Sequence, residues 1–295
     1  MTAKILVLGR SGQVARELEK IGAPEGFSLE FAGRERLDLG AADPRPLLEE
    51  VRPAAVINAA AYTAVDKAES EPEAAYALNR DAPAALARAC AEAGVPFVHF
   101  STDYVFDGTK AEPYVETDPV NPTGVYGASK AAGEAEVLAA GGPAIVLRTS
   151  WVYSAFGSNF VKTMLRLAAT RDELGVVADQ LGRPTWAEDC ARGALRAAQA
   201  LLDREARAAG IFHLAGAGDA TWADFAEAIF ALSAARGGPA ARVKRIATAD
   251  YPTPAKRPAN SRLDCGRMIS TLNWPMRDWR QSLAACLEEL ETAAP

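Results

Sequence analysis

Ile5-Leu6-Val7-Leu8-Gly9-Arg10-Ser11-Gly12-Gln13-Val14-Ala15 is the stretch on which the fold turns. Four apolar residues in a row read as a short strand covered on both faces, as strands of parallel sheets are. Two glycines follow at once, and Gln13 to Lys20 reads as a helix. A glycine turn carries information in this setting, between a strand and the helix it opens. Gly9 permits the tight turn, Gly12 lets the backbone approach a pyrophosphate, and small Ala15 lets the helix settle on the strand. The amide N–H groups at the helix start then face an anion, which makes Gly9, Ser11, Gly12, Gln13 and Val14 candidate cofactor contacts. The spacing is GxxGxxA rather than GxGxxG.

The pattern repeats outward from this turn. Ser28 to Ala32, Ala55 to Asn58, Phe97 to Ser101 and Ala144 to Arg148 read as strands. Pro44 to Val51, Glu73 to Ala93 and Ser129 to Ala140 read as helices between them. Such alternation predicts βαβ units, hence an α/β protein with a Rossmann-type, doubly wound parallel sheet. After residue 150 prolines and loop-like stretches become frequent, with helices expected at Asn159 to Thr170, Ala187 to Ala208, Trp222 to Ala235 and Trp279 to Leu290. Residues 1–150 are therefore expected to form a dinucleotide-binding domain. Residues 151–295 are expected to form a smaller, irregular, mainly substrate-binding part, with segments returning to the first.

Composition narrows the class. The chain has 295 residues, 49% hydrophobic and 24% charged, which excludes disorder or a coiled coil as the main architecture. No stretch approaches the roughly 18 to 20 consecutive apolar residues of a membrane span. The N-terminus runs straight into a strand-like segment without a signal-peptide pattern. A net charge of −6 lacks the basic footprint of a nucleic-acid binder. Cys90, Cys190, Cys265 and Cys286 lie far apart with no CxxC spacing, and read as reduced thiols of a cytoplasmic protein. His99 and His213 are the two histidines, each inside an apolar run, and read as packed strand residues. A multi-histidine metal site or a histidine-based hydrolase triad is disfavoured.

Two further places carry chemistry. Past the second strand the sequence is Phe31-Ala32-Gly33-Arg34-Glu35-Arg36. An acid there would bond the free 2′-hydroxyl of NAD, whereas an arginine suits the 2′-phosphate of NADP. Arg34 favours NADPH over NADH, with Glu35 and Asp38 as opposing charges. Downstream, Tyr126-Gly127-Ala128-Ser129-Lys130 places a phenol and an ammonium four residues apart, on one face of a helix. A phenol titrates near 10, and the ammonium is expected to lower that value and to bond the nicotinamide ribose. Phe100-Ser101-Thr102-Asp103 ends a strand at the carboxyl edge, where open α/β sheets bind ligands. Thr102 can hold a substrate carbonyl there and assist Tyr126.

Longer segments carry a resemblance. They are Asn58 to Glu69, Ser101 to Gly108, Tyr126-Gly127 with Lys130, Arg148 to Tyr153, Asn159 to Met164, Asp179 to Thr185, and Arg257-Pro258-Ala259-Asn260-Ser261. In these the chain resembles the dTDP-4-dehydrorhamnose reductases, extended short-chain dehydrogenases/reductases. The resemblance implies Tyr126 and Lys130 as the catalytic pair, with cofactor contacts at Gly12, Gln13, Val14, Asp38, Leu39, Ala61, Tyr62 and Thr63. Phe100, ending the fourth strand, joins the cofactor candidates. It further implies Thr102, Asp103 and Trp151 at a dTDP-sugar, and Arg257 at the diphosphate. Some members bind Mg²⁺ through glutamates at a dimer interface. Glu17 matches one such position, and Glu188 and Glu288 align loosely, so a homodimer and a monomer both stay open.

Two other readings compete. Related 4,6-dehydratases carry an Asp-Glu pair after the strand-end threonine, but here Asp103 is followed by Tyr104. Other 4-keto-sugar reductases or epimerases stay open. The regulatory subunit of methionine adenosyltransferase resembles these reductases and is a binding protein. The intact Tyr126/Lys130 pair argues for an enzyme.

Overall fold

The structure, a computed structural model, describes residues 2–292. The N-terminal half runs β1 (Ala3–Leu8), α1 (Gln13–Ile21), β2 (Phe27–Ala32), α2 (Arg45–Val51), β3 (Ala55–Asn58), α3 (Val65–Ala68), α4 (Pro72–Tyr76), α5 (Ala82–Ala93), β4 (Phe97–Thr102), α6 (Val125–Ala139) and β5 (Ala144–Thr149). The remainder runs β6 (Val152–Tyr153), α7 (Phe160–Ala168), β7 (Glu173–Val177), β8 (Leu181–Gly182), β9 (Thr185–Trp186), α8 (Ala187–Leu202), β10 (Gly210–His213), β11 (Ala220–Thr221), α9 (Trp222–Ala234), β12 (Arg242–Ile246), α10 (Gly266–Leu272) and α11 (Trp279–Thr292).

Six strands form one sheet in the order β10-β5-β4-β3-β1-β2, every pair parallel. Period-two patterning explains why both faces are covered. Ile5 and Val7 of β1 enter one core with Leu18 of α1 and Ala191 and Ala194 of α8. Leu6 and Leu8 enter the opposite core with Leu47 and Leu48 of α2, Leu86 of α5 and Val137 of α6. The same alternation holds in β5, where Ile145 and Leu147 face one way and Val146 the other. The winding direction reverses between β1 and β3. The crevice beyond the carboxyl ends of those strands is where such sheets bind ligands.

A third core lies in the later part of the chain, where α7, α9, α11 and β7 bury Phe225, Ile229, Trp279 and Leu283. Three later segments pack on the sheet instead: β10 extends it beside β5, α8 lies against α1, and α10 lies against β10. The expected helix from Glu73 to Ala93 is one helical run with a π turn, Ala77–Asp81, between α4 and α5. The helix expected from Ser129 starts earlier, at Val125, and that from Ala187 stops at Leu202. All four cysteines are free and buried, and burial pushes the thiols of Cys90, Cys190 and Cys265 up to about 12. No described helix is long and apolar enough to cross a membrane.

Candidate active site

A cleft of about 1220 Å³ opens at the carboxyl edge of the sheet. Gly9 through Val14 line it where β1 turns into α1. Gly9 has φ +97°, and a Cβ on it would stand 3.2 Å from the Ala60 nitrogen. The two turns, after β1 and after β3, are therefore packed backbone to backbone, as a dinucleotide needs. Ala61 and Thr63 line the cleft beside them, as do Arg34, Asp38 and Leu39. Arg34 and Glu35 are both exposed there. The Glu35 carboxylate folds back to accept the Gly33 N–H at 3.3 Å. Arg36 turns elsewhere, to Glu30 and Glu50.

Phe100, Thr102, Asp103, Tyr126, Lys130 and Trp151 line the same cleft. Helix α6 brings Tyr126 and Lys130 there on one face. It packs so closely on the segment after β4 that a Cβ at Gly127 would stand 2.1 Å from the Tyr104 carbonyl oxygen. Tyr104 meets Tyr126 edge-on, ring centroids 5.6 Å apart. Lys130 is buried and donates to the Phe100 carbonyl at 2.5 Å. Thr102 donates to the buried Asp103 carboxylate at 2.9 Å and neighbours the Tyr126 phenol.

The electrostatics correct one expectation. Lys130 was expected to lower the Tyr126 pKa. Burial instead dominates and pushes the phenol up to about 12, against the neighbouring Thr102 hydroxyl, and Lys130 bonds the Phe100 carbonyl. Lys130 itself is pulled down to about 8 by burial, with Glu134 acting against that. Asp103 is raised to about 6, again by burial.

Two expected residues lie outside the cleft lining. Tyr62 turns its hydroxyl to Glu71 at 2.9 Å. Arg257 pairs with Asp66 at 2.7 Å and sits 5.9 Å from the Tyr104 ring. Trp151 reaches the cleft with a positive φ of 48°, its indole stacked on Trp222 at 3.6 Å. A strained non-glycine backbone of this kind persists only where the surroundings over-determine it.

Sequence reasoning missed Asn79. The π turn projects its buried amide between two parts of the site. It accepts from the Tyr62 N–H at 2.9 Å and donates to the Tyr62 carbonyl and to Ser129, each at 3.0 Å. An inserted residue in a helical run leaves no periodic trace, although a π turn often marks a functional position.

The metal expectation also changes. Glu17, Glu188 and Glu289 converge from α1, α8 and α11, whereas Glu288 is exposed. The Lys20 ammonium sits among them, 2.6 Å from Glu17, 2.9 Å from Glu188 and 2.6 Å from Glu289. Burial opposes its charge, but the three carboxylates outweigh that and hold its pKa above the ordinary lysine value. Ser154 and Arg192 satisfy the outer sides of Glu17 and Glu188. A divalent cation does not fit this arrangement without expelling Lys20.

A parallel sheet with a glycine turn at its switch point and a Tyr-Lys pair facing it defines a short-chain dehydrogenase/reductase type of oxidoreductase. The family model described as "RmlD substrate binding domain" matches residues 3–292. A dTDP-4-dehydrorhamnose reductase from Sinorhizobium fredii is 47% identical, with 95% of each chain covered. One from Burkholderia thailandensis is 45% identical over 97% of this chain and 99% of its own. Among solved structures, a Bacillus anthracis dTDP-4-dehydrorhamnose reductase in complex with NADP has a TM-score of 0.90 at 33% identity, covering 98% of this chain and 100% of its own. The chain belongs to the dTDP-4-dehydrorhamnose reductase family.

Proposed function

We propose that the protein reduces the C4 ketone of dTDP-4-dehydro-β-L-rhamnose to give dTDP-L-rhamnose, with NADPH as the favoured reductant and NADH as the alternative. The single observation that carries this is the convergence of Tyr126, Lys130 and Thr102 on the cleft that Gly9–Val14 also line. The cleft fits a dinucleotide by its volume, its close-packed turns and its helix N-terminus. When bound, the nicotinamide supplies a hydride to the carbonyl carbon. Thr102 orients the ketone oxygen, and Tyr126 donates its proton to the oxygen as negative charge develops. A phenol held near 12 is fully protonated at neutral pH, which suits a proton donor in the direction of reduction. Asp103 and Trp151 flank the sugar, and Arg257 braces Tyr104 from outside the cleft.

The purified protein, given NADPH and the 4-keto sugar nucleotide, should consume reduced nicotinamide and release dTDP-L-rhamnose. Tight cofactor binding without turnover would instead favour a binding protein, and turnover of other 4-keto sugars alone would reassign the substrate.

A further inference from the structure

His99 lies in the middle of β4, fully buried. Its two ring nitrogens face two different partners. Nδ1 is 3.1 Å from the Asn58 amide nitrogen, and Nε2 is 3.4 Å from the Lys130 ammonium. The Asn58 amide has a fixed orientation, because its oxygen accepts the Ala60 N–H at 3.1 Å. Its NH₂ group therefore points at His99 and donates. His99 Nδ1 must accept, so the ring proton of the neutral imidazole sits on Nε2. That N–H faces Lys130. An ammonium can only donate, so it meets a donor there; a neutral amine would accept the bond.

From this geometry we propose that His99, its tautomer fixed by Asn58, is a positioning residue that adds to burial in disfavouring the Lys130 ammonium and so lowers the basic limb of the enzyme's pH dependence. This rests on the reading of Tyr126 and Lys130 as the catalytic pair. Tyr126 gives its proton to the substrate oxygen and recovers one from water between turnovers, and the Lys130 ammonium, four residues along α6, stabilises the phenolate formed in between. Loss of that ammonium at high pH therefore lowers turnover, and the neutral amine accepts the His99 Nε2–H while still donating to the Phe100 carbonyl.

Burial lowers Lys130 as well, and the other side chains around it favour the ammonium, are neutral or are paired. Glu134, on its own helix, favours the ammonium, and Arg148 of β5 holds that carboxylate at 2.9 and 2.6 Å. Tyr126, also on α6, is neutral, as is Asn79 of the π turn. Asp103, beyond β4, shares its oxygen with Thr102 and would also favour a cation. Burial keeps His99 uncharged, with Lys130 adding to the effect, so it acts as a dipole rather than a charge.

The chain has two histidines, which makes the test direct. Nitrogen-15 imidazole NMR should show His99 neutral and protonated at Nε2. His213, whose Nδ1 faces the Asp264 carbonyl at 3.1 Å, should be protonated at Nδ1 and serves as the internal contrast. Asn58→Leu removes the donor against Nδ1 without adding a charge, so His99 should carry its proton on Nδ1 and Nε2 should accept from the Lys130 ammonium. The basic limb of kcat should then move up by about one pH unit. His99→Leu removes the N–H and should move the limb the same way. A packing role alone would lower stability and leave the limb in place. An Nδ1 proton on His99 in the unaltered protein overturns the proposal, and so does a stationary limb in either folded variant. Should His99→Leu not fold, Asn58→Leu decides. If the unaltered protein fails to reduce any 4-keto sugar, the proposed function falls, while the tautomer measurement still stands on its own.

Discussion

At the scale of single residues, burial rather than an adjacent charge governs the Tyr126 phenol, which the proposed reaction uses as its proton donor. Tyr126→Phe should retain cofactor binding and lose turnover by about 10² to 10⁴-fold, as removal of a general acid does. Near-normal turnover in that variant, followed by nicotinamide absorbance, would reject the assignment. In the proposed reading Arg34 favours NADPH over NADH, with Glu35, whose carboxylate is tied to the Gly33 N–H, as the opposing charge. An arginine–phosphate bond on an exposed loop is screened, so Arg34→Ala should lower the NADPH/NADH ratio of kcat/KM roughly tenfold. An unchanged ratio would make Arg34 an ordinary surface charge. Residue identities at the cleft were readable where backbone dictates them, as at Gly9, Gly12 and the Tyr126/Lys130 spacing. The pKa of Tyr126 and the outward turn of Tyr62 were not, because both depend on neighbours distant in sequence.

At the scale of elements, two charge clusters hold helices in place. Glu134 of α6 and Arg148 of β5 form a bidentate pair with both side chains buried. Removing one partner leaves the other charged and unpaired, so Glu134→Ala should cost about 3 to 5 kcal/mol in denaturant unfolding. A loss near zero would mean that Arg148 finds another partner. Lys20 joins α1 to α8 and α11 through three carboxylates. Millimolar Mg²⁺ or EDTA should therefore leave the Tm unchanged, and a rise with Mg²⁺ would show that the glutamates prefer the metal. Strand and helix positions of the first half were legible from periodicity and from apolar runs such as Ile5–Leu8 and Ala144–Leu147, which are buried on both faces. Glu289 was not distinguishable from Glu288 by sequence, because a one-residue step along a helix changes the face by about 100°.

At the scale of the whole molecule, the sheet places the turns after β1 and β3 and the end of β4 on one edge, and the later chain completes the cleft. Trp151 enters it from just beyond β5, and Trp222 of α9 backs its indole. The return of α8, β10 and α10 to the sheet was only partly readable. Phe212-His213-Leu214 is apolar enough for a strand, but nothing local says that it pairs with β5. The short pairing of β7 with β12 likewise joins segments far apart in sequence. The most direct test of the proposed reaction follows the hydride itself. The protein should be supplied with NADPH deuterated at the transferable C4 position and with dTDP-4-dehydro-β-L-rhamnose. Mass spectrometry and NMR should then find dTDP-L-rhamnose carrying one deuterium, located at sugar C4. Product without deuterium at that carbon, or no product from folded, cofactor-bound protein, would contradict the account.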